Sequence, residues 1–125
     1  MKKIYFIFLL AIIINLDIYS RSYRVNQIPN GNKFSCNSCH TNGGGTALND
    51  FGNLVRKDFL VQEGSQFNVA WGPLLASLDA DNDGVTNGQE LQDPFGLFSF
   101  GQENPGNIDL VTSAGNPQSV PFTTL

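Results

Sequence analysis

The sequence has one histidine, two cysteines and no methionine beyond the initiator. Each scarcity removes a function. Without methionines there is no Met-rich groove of the kind that calcium sensors expose to their targets. Without a second histidine or a methionine, an iron cannot be held from both sides in the His/Met or bis-His manner of electron-transfer cytochromes. Two cysteines and one histidine also leave a zinc site short of its fourth ligand. Lys and Arg together number seven against eleven Asp and Glu. That acidic balance argues against nucleic acid and anionic lipid as partners. No internal repeat is present, and no distal acid–base pair can be named that would support peroxidase chemistry.

Long apolar runs are equally scarce. One stands out, Ile4–Ile14 behind Lys2 and Lys3, and it is shorter than the ~20 residues a spanning helix needs. It reads as the apolar region of a secretory signal peptide occupying residues 1–20, with Ser20 before the cut. Ile18 fits a small-residue cleavage site poorly, so an uncleaved N-terminal anchor is the alternative. No cysteine follows the run to carry a lipid. The remaining 21–125 hold five basic and ten acidic residues, about one small domain, with no membrane association expected. An exported chain, periplasmic or secreted, meets an oxidising compartment.

What the sequence does contain is concentrated. Both cysteines and the histidine fall in Cys36-Asn37-Ser38-Cys39-His40, the C-x-x-C-H spacing of c-type haem attachment. Two thiols at this spacing can form thioethers to one porphyrin, and the adjacent imidazole can ligate its iron. With His40 so used, the iron's other face would be open, or held by an unusual ligand or a partner. The competing readings are a Cys36–Cys39 disulfide and a thiol–disulfide oxidoreductase, although the latter's βαβ setting is missing. Gly43-Gly44-Gly45 follows, either a solvated loop or room for close backbone approach.

Residues 79–90 read Asp-Ala-Asp-Asn-Asp-Gly-Val-Thr-Asn-Gly-Gln-Glu, which fills the EF-hand pattern D-x-[DN]-x-[DN]-G-x5-E. Asp79, Asp81 and Asp83 would supply oxygens at loop positions 1, 3 and 5, with Val85 offering its carbonyl at 7. Asn87 stands at 9, acting directly or through water, and Glu90 closes the site at 12. Gly84 permits the turn between them. A hard cation there would neutralise carboxylates that otherwise repel. The following helix is short and no second loop exists, so Ca2+ is expected as a structural staple and not a signal.

Elsewhere, Phe51, Leu54, Val55 and Phe59 make a helical stripe that Asn49 or Asp50 can cap. Phe67, Trp71, Leu74, Leu75 and Leu78 repeat the spacing, with the regular helix starting near Gly72-Pro73. Ile28-Pro29-Asn30-Gly31 is a turn. Tyr23-Arg24-Val25 before it is expected as a short edge strand or extended chain. Phe95 onward reads as irregular, with room for a short strand. The fold expected is a small single domain, mainly α with loop-rich regions. It carries one EF-hand-like helix–loop–short helix within residues 21–96, and 97–125 is packed on the domain or trailing it.

The order of these motifs resembles the temptin family. The turn Ile28–Gly31 is followed by His40, then Gly43–Gly45 with Asn49-Asp50-Phe51-Gly52. Trp71 comes next, and then the acidic loop running through Thr86-Asn87-Gly88-Gln89-Glu90-Leu91 to Asp93-Pro94, so that the likeness covers about residues 25–96. It implies a small secreted calcium-binding domain, linked to extracellular signalling and not to catalysis. Cys39 stands where the family has glycine before the histidine, and the family's other disulfide cysteines are absent. Cys36 to Gly52, with Leu48-Asn49-Asp50-Phe51-Gly52, also looks like exported bacterial haem domains. The leading expectation is a non-enzymatic exported protein holding Ca2+ and one haem c on Cys36, Cys39 and His40, acting in electron transfer or small-ligand binding with a redox or extracellular protein partner. The alternative is a temptin-like secreted interaction module with a Cys36–Cys39 disulfide, structural calcium and no haem.

Overall fold

The structure, a computed structural model, describes residues 21–121. The expected signal peptide lies outside the described residues. The chain enters through three 3-10 turns, Ser22–Gln27, Gly31–Lys33 and Ser35–Ser38. The first corrects the extended reading of Tyr23-Arg24-Val25. That segment coils into a 3-10 turn and attaches through its side chains. The Tyr23 hydroxyl and Arg24 Nε both donate to the Phe67 carbonyl, at 3.1 and 2.9 Å, and Gln27 Oε1 accepts from the Val69 N–H. The expected Pro29-Asn30 turn forms. Asn30 takes a left-handed φ of 53°, and its buried amide donates to the carbonyls of Leu91 and Pro105.

Helix α1 runs Asp50–Asp58, its first turn closed by Asn49 Oδ1, which accepts from the Gly52 N–H at 2.9 Å. Phe51, Val55 and Phe59 are buried along one face as their spacing requires. The chain then turns into an antiparallel hairpin, β1 Leu60–Glu63 and β2 Gln66–Val69, with Glu63 opposite Gln66. Helix α2 spans Pro73–Ser77 with proline in its first turn, and α3 spans Asn87–Glu90. The mainly α expectation is therefore corrected: this is a mixed small domain with a two-stranded sheet and helices of nine, five and four residues. The reason is local. Register leaves Gly64-Ser65 as a two-residue loop, with Gly64 at φ 62°. Glycine at the first central position favours the turn that matches strand twist. Phe67, read as the start of a helical stripe, is a strand residue.

The core gathers Ile28, Phe51, Val55, Phe59, Leu75, Leu91, Val111 and Ala114. Two of these, Val111 and Ala114, belong to the irregular C-terminal stretch, which has one 3-10 turn at Ile108–Leu110. That stretch lies on the domain: the Thr112 N–H donates to the Glu90 carbonyl at 3.0 Å. Among the described residues no helix is long and apolar enough to cross a membrane.

Candidate metal centre and the cysteine–histidine turn

The acidic loop begins where α2 ends. Its backbone is shaped by two left-handed residues, Asn82 at φ 60° and Gly84 at φ 93°. The carboxylates organise the turn from within. Asp79 accepts from the N–H groups of Asp83 and Gly84 at 3.3 and 2.9 Å, and Asp83 Oδ1 accepts from the Val85 N–H at 2.8 Å. Ligand atoms of Asp79, Asp81 and Asp83 all lie within 4.8 Å of one another.

One oxygen on each of Asp81, Asp83 and Glu90 is buried with no hydrogen-bond partner. Such oxygens are costly unless something else satisfies them. Burial, then repulsion from Asp83 and Asp79, raises the Asp81 carboxyl to about 6. Glu90 is pushed further, to about 8, first by burial; the Thr112 hydroxyl opposes the rise, and Asp81, Asp83 and Asp79 add to it. The donor set is all oxygen, acidic and self-repelling, which fits a hard divalent cation.

One residue is engaged otherwise than its loop position suggests, and one that the pattern does not contain joins the site. Asn87, expected at loop position 9, is fully buried and already engaged: its Oδ1 accepts from the Ala80 N–H at 3.1 Å and its Nδ2 donates to the Leu75 carbonyl at 2.9 Å. It ties the end of α2 and the start of the loop to α3, with both of its amide atoms spent on backbone groups. Thr112, invisible to the loop pattern, hydrogen-bonds Glu90 Oε1 at 3.0 Å and so aims the other oxygen. Nothing in the local sequence marks it, because the contact crosses twenty-two positions. The start of α3 explains the Thr86–Gln89 segment. Thr86 Oγ1 accepts from the Gln89 N–H while the Gln89 side chain accepts from the Thr86 N–H, a capping box. Asp93 is buried and accepts three bonds, from Trp71 Nε1, Leu97 N–H and Phe98 N–H.

The cysteine–histidine turn is built differently. Cys36 lies in the third 3-10 turn and Cys39 ends it, with the His40 N–H donating to the Cys36 carbonyl at 3.0 Å. Asn49 clamps this turn to α1. While its oxygen caps the helix, its Nδ2 approaches the carbonyls of Asn37, Ser38 and His40 at 3.1–3.4 Å. Gly52 is needed beside it, since a Cβ there would overlap the Cys39 carbonyl oxygen. His40 Nδ1 sits 2.7 Å from the Thr46 carbonyl, which leaves Nε2 unengaged in that contact.

Both cysteines are free thiols. Burial pushes the Cys39 thiol up to about 11; Arg24 opposes the rise and Cys36 adds to it. Cys39 packs against the core with Phe34 and Leu54. An open groove of about 320 Å³ exists on the molecule, but its lining (Val25, Ile28, Phe98 and neighbours) includes neither cysteine nor His40. The turn thus has a histidine posed as metal-ligating imidazoles are, with core packing on one side.

Comparison with known proteins adds one result. No curated protein and no solved structure matches the chain. A family model described as temptin C-terminal matches residues 18–117, taking in the cysteine–histidine turn, the acidic loop and the segment that carries Thr112. The chain belongs to the temptin C-terminal family.

Proposed function

We propose that this protein is a secreted, non-catalytic interaction module whose fold is held by one calcium ion. Asp79, Asp81, Asp83, Glu90 and the Val85 carbonyl would hold the ion, and Asn87 serves as a strut behind them. The observation that carries the reading is the set of three unpartnered buried oxygens on Asp81, Asp83 and Glu90, within a loop that fills the EF-hand pattern. Secretion is supported by family membership and by the leader-like residues 1–20. In an oxidising compartment Cys36 and Cys39 would close a disulfide across one turn. The decisive experiment is a pair of melts, with about 1 mM calcium and with chelator. Calcium should raise the melting temperature of the wild type and leave Asp79→Ala/Glu90→Ala unmoved. An equal rise in both would refute the ligand set.

A second reading, covalent haem on Cys36, Cys39 and His40, is favoured by the C-x-x-C-H spacing and by the His40 Nδ1 contact with Thr46. Mature protein produced alongside a haem-attachment pathway separates the two. A Soret band that survives denaturation supports haem. A colourless chain lighter than its reduced form by a pair of hydrogens supports the disulfide.

A further inference from the structure

The most exposed apolar side chains among the described residues include three that one backbone contact brings together. Phe95 is 74%, Leu97 73%, Phe100 70% and Leu74 66% exposed. Gly96, at φ 64°, lies so tightly on the Gly72–Pro73 backbone that a Cβ would overlap it. That contact brings Phe95 and Leu97 beside Leu74. Leu74, Phe95 and Leu97 together show roughly 400 Å² of apolar surface, within the range for the largest patch on a soluble monomer.

This surface is rigidly presented. Buried Asp93 accepts the N–H groups of Leu97 and Phe98, at 3.0 and 2.9 Å, and the Gly96 N–H donates to the Asp93 carbonyl at 3.0 Å. Phe98 turns inward while its neighbours on both sides point out. A loop merely left over from folding has no need of a buried carboxylate to fix its exposed side chains. Ordering them in advance lowers the entropic cost of binding.

Charge selects the occupant. From Asp58 to Leu125 there is no lysine or arginine, yet there are nine carboxylates. The two cations that reach into this half are engaged with backbone carbonyls elsewhere, Arg24 with Phe67 and Lys33 with Ile108. Exposed Glu103 lies just beyond Phe100, and a loop of four carboxylates around one divalent ion would keep a net negative charge. A second copy of this chain would bring acid against acid.

We propose that the surface formed by Leu74, Phe95 and Leu97 docks a basic amphipathic protein segment, one whose apolar face covers the patch while flanking Lys or Arg meet the acidic surround. The proposal deepens the reading of the protein as an interaction module and rests on it. The test uses the full mature chain in about 1 mM calcium and about 150 mM salt. The probes are helical peptides of about 18 residues made of Leu/Lys, Leu/Glu or Ser/Lys. Leu/Lys should bind at least about tenfold more tightly than either control, and Phe95→Ser/Leu97→Ser should weaken it by about tenfold or more. Unchanged melting temperature in that variant shows that the fold is intact.

Equal binding of Leu/Lys and Leu/Glu, full binding by the double variant, or self-association through the patch in sedimentation would each overturn the proposal. Wild-type binding to neutral phosphatidylcholine vesicles that the variant loses would overturn it in favour of a lipid surface. The calcium-dependent melt run on the same samples keeps the two ideas apart. A calcium response without peptide binding defeats only the docking surface, and peptide binding without a calcium response defeats only the metal centre.

Discussion

Replacing Glu90 by glutamine should make the calcium-free protein more stable and the calcium-bound protein less so. The side chain is fully buried, one oxygen is held by Thr112 and the other has no partner. Glutamine keeps an oxygen for Thr112 and turns an amide toward Asp81 and Asp83, replacing a repelling charge with a donor. Glu90 titrates near 8 in the fold against an ordinary 4.5. At pH 7.5 the whole gap would be worth roughly 4 kcal/mol, which water reaching the open side of the loop screens to about 1–3 kcal/mol. For a domain of this size, that is a rise in calcium-free melting temperature of roughly 5–15 °C. With about 1 mM calcium the order should reverse, because the closing ligand is gone.

The pH dependence has the same origin. A carboxyl raised by folding stabilises the fold while protonated and loses that contribution as pH climbs through its folded value. Calcium-free wild type should thus melt at steadily lower temperature from about pH 5 to 8, and Glu90→Gln should flatten the slope. Circular dichroism melts with chelator, run at half-unit pH steps, measure both. A variant less stable than wild type without calcium would refute the reasoning, since burying the Glu90 carboxyl could not then be costing the fold stability.

Gly52→Ala should lower stability by about 1–3 kcal/mol, because the new Cβ drives against the Cys39 carbonyl; urea unfolding reads the loss. Asn87→Ala removes two buried hydrogen bonds and should cost about 2–4 kcal/mol. Below its melting temperature, its calcium affinity by titration calorimetry should fall far less than that of Asp81→Ala; a matching loss would make Asn87 a ligand after all. Asp93→Asn turns an amide on the Leu97 and Phe98 donors or on Trp71. It should red-shift the fluorescence of the single tryptophan and lower stability by about 1–3 kcal/mol.

Much of this was readable in sequence wherever one short stretch determines its own shape. The α1 stripe, the Asn49 cap, the start of α2 at Pro73 and the brevity of α3 all depend on neighbours within a turn. The hairpin was not read, because the apolar spacing of Phe67 with Trp71 imitated a helix and masked the two-residue loop Gly64-Ser65. What could not be read are the contacts between distant segments. Thr112 aims Glu90, Asn87 spends its amide on α2, and Asn49 gathers three carbonyls of the cysteine–histidine turn. A loop pattern names groups able to ligate, whereas the packed fold decides which of them are free to do so. Asn87 is the case in point.

The bond between Thr112 and Glu90 joins the two ends of the metal question. If the loop holds calcium as proposed, scarcity of the ion would leave the carboxylates unscreened and weaken the anchor that Glu90 gives the C-terminal stretch. Filling the loop would fix Glu90, and with it the bond to Thr112 that flanks Val111 and Ala114 in the core. Folding would then be completed by the surroundings: a chain pliable enough to be exported before it meets the ion, and locked after.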